Sequence, residues 1–212
     1  MQALLAAVAA IAIQLDQQGI SGTSLAQIRA AMSDYRTWER VSDKANWAPT
    51  NCMIRPPTGV QTSVSTDPDT HGKKLYFLFA RDSNAYAWIG YREATHSQPI
   101  GQTITKESWT HTKAAEPPHR TDPRAQGGVL KHEYPPEFAL LDGQWCRTDK
   151  PAGLFIMAYV GEDKPNTDAG WIYATTNPSG DQFNSIGLIE SCMGCHAKAP
   201  HGRLFGLPRT RR

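Results

Sequence analysis

The chain has 212 residues, 40% of them hydrophobic, enough for one sizeable core or two small ones, which excludes both a disordered chain and a large multidomain assembly. Lys plus Arg at 22 against Asp plus Glu at 20 leaves a net charge of +2, so there is no field of one sign with which to grip nucleic acid or an anionic membrane. With 17 glycines and 15 prolines, the composition favours turns and loops and speaks against a helical bundle.

At the N-terminus, MQALLAAVAAIAIQLD carries an apolar run from Ala3 to Ile13, which is signal-peptide length and short of the about 20 residues that span a bilayer. Residues 1–14 are read as a signal peptide, with Ala10-Ile11-Ala12 as a small-residue cleavage site, although the stretch lacks Lys or Arg; a buried amphipathic helix is the alternative. The remainder, 20–212, is read as a single domain. Ser24 with Gln27 resembles a capping box, and Leu25, Ile28, Met32, Tyr35 and Trp38 recur at helical spacing, so a helix is expected over 24–40. Residues 43–72 are rich in Pro, Thr and Asp and read as loop with one short strand near 60–64.

Beyond this loop the pattern turns to strands. Residues 75–80 form an aromatic, β-compatible run, and Asp82 or Ser83 can cap a helix over 85–92. Segment 101–109 alternates over β-branched residues, and 154–160 and 171–176 are apolar runs of strand length. Between them, 110–150 reads as a long Pro-rich excursion. A turn at 177–180 leads to a short helix within 186–197. The expected fold is α+β: an antiparallel β-sheet core with an N-terminal helix and a short C-terminal helix.

That last helix carries Ser191-Cys192-Met193-Gly194-Cys195-His196, a Cys-x-x-Cys-His motif. Two thiols three residues apart can each add to a vinyl group of one haem, and the adjoining His then lies beneath the iron as its axial ligand. A thioredoxin-like redox pair would follow a strand within a βαβ unit, which this C-terminal setting does not provide, and a zinc site lacks a second Cys-x-x-Cys. The expected cofactor is therefore haem c, bound covalently through Cys192 and Cys195, with the iron ligated by His196. Covalent attachment occurs outside the cytoplasm, which agrees with the apolar leader and places the protein in the periplasm or another extracytoplasmic space. Cys52 and Cys146 remain as a disulfide or as two loose thiols.

A C-terminal haem motif on a mainly β chain resembles the cytochrome P-460 family and its relatives, the β-sheet cytochromes c-prime. Tyr35-Arg36-Thr37-Trp38 looks like the family's Tyr-Arg-x-Trp element, GQTITKE at 101–107 resembles its Gly-x-x-x-x-Lys-Glu strand, and Gly170-Trp171-Ile172-Tyr173 is similar to its aromatic strand before the haem helix. The resemblance runs over 35–196, and 110–150 has no counterpart in it. It implies a monohaem domain that forms homodimers, acts on a small nitrogen compound or a diatomic gas, and passes electrons to a partner cytochrome.

Lys106 matches the family's lysine that is bonded to a meso carbon of the haem. Strand alternation places it on the face of Ile104, opposite Thr103, Thr105 and Glu107; a surface lysine with its stem over apolar side chains is the plainer reading. Enzymatic members set a distal carboxylate just after a Gly-Leu pair; here Gly153-Leu154 is followed by Phe155, an apolar distal wall like that of the gas-binding c-prime relatives. Glu133, Glu162 and Asp163 are the carboxylates that loops could bring to the pocket. His71, His96, His111, His119, His132 and His201 read as loop histidines, Met157 as core filler, and Arg203, Arg209, Arg211 and Arg212 as a basic tail. Three functions are expected to compete: hydroxylamine oxidation, binding of nitric oxide or carbon monoxide, and simple electron transfer.

Overall fold

The computed structural model describes residues 19–41, 46–47, 74–87, 89, 98–117, 137–141 and 143–205. The proposed leader, the strand near 60–64, Cys52, Glu133, His71, His96, His119, His132 and the arginines beyond 205 lie outside these residues. Two compact units divide the chain, one drawn from Met1–Val41, Leu78–Lys106 and Gly153–Leu207, the other from Ser42–Phe77, Glu107–Ala152 and Pro208–Arg212. The core is the expected antiparallel sheet with a few helices. Among the described residues, no helix is long and apolar enough to cross a membrane.

The first unit opens with helix α1, Gly22–Asp34, followed by a 3-10 turn at Tyr35–Thr37. Its cap is Ser21, whose Oγ accepts the Ser24 backbone N–H at 3.1 Å, so the cap lies three residues ahead of the expected Ser24, and the helix ends at Asp34 instead of reaching 40. Gln27 is thereby released from the capping box and donates instead to the Gln102 carbonyl at 3.1 Å and to Thr103 Oγ1 at 2.9 Å. Ile28, Ala31 and Tyr35 are the buried stripe, with Leu25, Met32 and Trp38 half-buried at its margins. Full burial of Ile28 alone is worth about 1.5–3 kcal/mol.

Strands follow in chain order: β1 (Glu39–Arg40), β2 (Asn46–Trp47), β3 (Leu75–Ala80), β4 (Thr103–Lys113), β5 (Phe138–Leu141), β6 (Gln144–Tyr159), β7 (Trp171–Thr176) and β8 (Phe183–Gly187). Helix α2, Ser83–Ala87, lies between β3 and β4, and Asp82 caps it by accepting the Ala85 N–H at 2.8 Å. The sheet path is β1-β3-β4-β6-β7-β8. In the first unit, alternation along the strands sorts side chains onto two faces. Leu154, Ile156, Ala158, Ile172, Ala174 and Ile186 pack with α1. Ile104, Met157, Tyr159, Trp171 and Tyr173 build the opposite face, on which Leu204, Cys192 and Met193 pack. Because both faces are covered, β7 reads as an apolar run from Trp171 to Ala174 before its two closing threonines.

The second unit corrects the reading of 110–150 as an excursion without strands. β4 runs on to Lys113, β6 begins at Gln144, and β5 pairs with β6 from Phe138↔Arg147 to Leu141↔Gln144. Just before β6, Gly143 adopts φ +78°, the left-handed backbone that tight hairpin turns use. His111 therefore stands in a strand, not a loop. β8 was likewise absent from the sequence reading, and the last helix, α3, is shorter than expected, Glu190–His196.

Candidate functional site

Helix α3 places Cys192, Cys195 and His196 at i, i+3 and i+4, so the three side chains share one side of a two-turn helix. All three are half-buried, and Cys192 and Met193 rest on the β-face formed by Ile104, Met157, Tyr159, Trp171 and Tyr173. Neither sulfur takes part in a disulfide. Burial pushes the Cys192 thiol up from its ordinary range, against a hydrogen bond from Ser191 and the charge of Lys106.

His196 is held in one tautomer. Its Nδ1 lies 2.7 Å from the Arg203 carbonyl oxygen, which can only accept, so Nδ1 carries the hydrogen and Nε2 keeps its lone pair. Burial first, and also the nearby charge of Lys106, hold the imidazole below the ordinary histidine range and thus neutral. The ring sits between Tyr173, with centroids 5.7 Å apart, and Phe205, at 5.4 Å. A neutral imidazole with Nε2 available, beside two thiols on the same helix face, is the donor set that a c-type haem uses. Among the described residues, no three His, Cys, Asp or Glu side chains gather to hold a metal ion by themselves.

Lys106 lies on the face predicted for it, that of Ile104, but is half-buried instead of enclosed. Its Nζ stands 5.0 Å from the centroid of the Phe155 ring, and its charge acts on both Cys192 and His196. The opposite side of β4 is no solvent face either, since Thr103, Thr105 and Glu107 are also buried. Phe155 pairs with Thr175 across β6 and β7. Two residues before it, Gly153 adopts φ +93°, and a Cβ there would meet the Thr176 carbonyl oxygen at 2.6 Å. Glu162 and Asp163 are exposed and lie near the Tyr159 phenol, whose pKa burial and then these two charges raise. Met157 is core, as expected.

Behind His196 stands a set of groups that the sequence reading missed. Arg203 is no part of a solvated basic tail but turns back: its Nε donates to Asp168 Oδ1 at 2.8 Å, and its second guanidinium nitrogen lies 2.6 Å from the same oxygen. Tyr173 Oη donates to Asp168 Oδ2 at 2.7 Å. Burial would raise the Asp168 carboxyl, but hydrogen bonds from Arg203 and Tyr173, with the guanidinium charge, outweigh it and hold the group below the carboxylate range. Burial and the Asp168 carboxylate keep the Tyr173 phenol protonated far above its ordinary range. Only the placement of Tyr173 on the face of Trp171 was open to strand alternation; contacts across 35 positions, from Asp168 to Arg203, leave no local signal.

Compared with protein-family models the chain matches none, and no curated protein matches it.

Proposed function

We propose that the protein is an extracytoplasmic monohaem c-type cytochrome of the P-460 and β-sheet c-prime kind that takes a small uncharged ligand such as nitric oxide or carbon monoxide. The observation that carries this reading is the convergence of Cys192, Cys195 and a His196 locked with Nε2 available on one helix side. Attachment needs no added oxidant: each thiol S–H adds across one vinyl C=C bond. Once bound, the haem would supply an iron able to take up a diatomic ligand.

The chain's own groups then divide the work. Cys192 and Cys195 tether, His196 ligates, and Met157, Tyr159 and Tyr173 supply apolar surface on the β-face. Phe155, in the position where the resemblance places a distal group, has no proton to give or take. A gas molecule needs none, whereas hydroxylamine oxidation does. Lys106 supports a second reading, that of a P-460 hydroxylamine oxidoreductase, because its ammonium charge falls on both Cys192 and His196, within the surroundings a cross-linking lysine would need.

Optical spectra of the protein matured with haem separate these readings. Gas binding predicts a five-coordinate haem with an ordinary c-type ferrous spectrum, a nitric oxide adduct and no hydroxylamine turnover. A red-shifted ferrous band that Lys106→Ala converts to an ordinary one would instead establish the cross-linked enzyme. A six-coordinate low-spin spectrum in both oxidation states would leave only electron transfer.

A further inference from the structure

The turn that follows α3 is fastened at every residue from 201 to 204. His201 and Leu204 exchange backbone hydrogen bonds at 3.2 and 3.1 Å. The Gly202 carbonyl accepts from Trp171 Nε1 at 3.1 Å, and the Leu204 side chain is buried in the core beneath the β-face. Arg203 has φ +73°, a left-handed conformation that non-glycine residues rarely adopt and that surrounding contacts must hold. Its side chain ends on Asp168, which is only 10% exposed and receives the Tyr173 hydroxyl on its other oxygen. The same residue aims its carbonyl at His196 Nδ1.

We infer that Tyr173, Asp168 and Arg203 act as a relay of positioning residues: the ion pair locks the strained Arg203 peptide, and its carbonyl fixes the tautomer, ring orientation and basicity of His196. This rests on His196 being the axial ligand proposed above. The physical logic is that a hydrogen bond at Nδ1 raises electron density at Nε2, which strengthens the bond to iron and favours the ferric state. A neutral carbonyl does this more weakly than a carboxylate would, and Asp168 is kept one residue away from the imidazole, neutralised by the guanidinium. The relay therefore sets orientation without giving the ring imidazolate character.

The experiment compares wild type with Asp168→Ala, Asp168→Glu and Arg203→Gly. Glycine accepts φ +73° without strain and keeps the carbonyl, so Arg203→Gly removes the ion pair while leaving the backbone free to hold its path. In the haem-loaded protein, Asp168→Ala and Arg203→Gly should lower and broaden the ferrous iron–imidazole stretching band and raise the midpoint potential, and Asp168→Glu should restore both in part. Long-range nitrogen–proton NMR of His196 should show one Nδ1–H tautomer in the wild type and a mixture in the two disrupted variants. This second readout needs no haem, so a colourless protein would overturn the haem reading and leave the relay to be decided by NMR. Folded Arg203→Gly with the wild-type band, potential and single tautomer would overturn the relay, as would an Nε2–H tautomer in the wild type. If Asp168→Ala fails to fold, Arg203→Gly alone decides.

Discussion

Lys106 holds its ammonium nitrogen 5.0 Å from the centre of the Phe155 ring, so a cation and an aromatic face meet on the side of the sheet that α3 covers. A cation–π contact of this kind is worth about 0.5–1 kcal/mol where solvent still reaches it. A double-mutant cycle with Lys106→Met and Phe155→Leu, followed by denaturant unfolding, should return a coupling of about that size. Additive effects would show that the two side chains are neighbours without energetic contact.

The same pair predicts how the chemistry should respond to a carboxylate. Phe155→Glu places a proton acceptor where the resemblance to enzymatic P-460 proteins expects one, next to the Lys106 charge. General-base assistance is worth about a hundredfold or more, so the haem-loaded variant should gain hydroxylamine oxidation that the wild type lacks, while affinity for carbon monoxide falls. Unchanged turnover would remove Phe155 from the reaction pocket.

Gly153 is required by the backbone. At φ +93° with a virtual Cβ 2.6 Å from the Thr176 carbonyl oxygen, Gly153→Ala must shift β6. The expected cost is about 1–3 kcal/mol, read as a lower denaturation midpoint at constant m value. The family-like Gly-Leu pair was legible in the sequence, and the structure supplies this separate reason for its glycine.

Gln102 and Thr105 should behave in opposite ways. The Gln102 amide uses both ends: Oε1 accepts from the Asp82 and Thr103 N–H groups at 2.9 and 3.1 Å, and Nε2 donates to the Asp82 carbonyl and Gln98 Oε1, each at 2.9 Å. Gln102→Leu strands several of these groups and should cost about 2–4 kcal/mol, since each buried unsatisfied group costs about 1–3. The Thr105 hydroxyl is fully buried without a hydrogen-bond partner among the described residues. Thr105→Val keeps its shape, so thermal unfolding should show it neutral or stabilised by up to about 1 kcal/mol.

The pH dependence of stability follows from the Tyr173–Asp168 pair. The folded Asp168 carboxyl lies below its unfolded value of about 3.9, so the unfolded chain binds its proton first on acidification. Its contribution is complete above that pH and lost as pH falls through the folded value. Tyr173 is raised above its unfolded value of about 10, so its contribution holds below that pH and is lost as the solution becomes more alkaline. Asp168→Asn should flatten the acid limb of the stability curve and Tyr173→Phe the alkaline limb. An acid limb unchanged by Asp168→Asn would contradict the assignment.

How much of this was legible depended on whether the signal was local. The strands at 75–80 and 171–176, the helix with Leu25 and Ile28, and the cluster Cys192, Cys195 and His196 all announce themselves through short-range periodicity or spacing. The second unit was obscured because Pro-rich flanks masked β5 and the first half of β6; the Asp142-Gly143 dipeptide was the available clue. The helix start was misplaced because Ser21 and Ser24 are both competent caps, and only the tertiary bonds of Gln27 to β4 and its preceding residue distinguish them. Arg203 looked like solvated tail because its partner, Asp168, is remote in sequence.

The most direct test is the mass and colour of the denatured polypeptide after expression in a host that performs c-type cytochrome maturation. The account predicts a chain heavier by one haem, with a pyridine haemochrome spectrum, and loss of that attachment when Cys192 and Cys195 are both changed to Ala. A colourless chain with the mass of the bare polypeptide would contradict it.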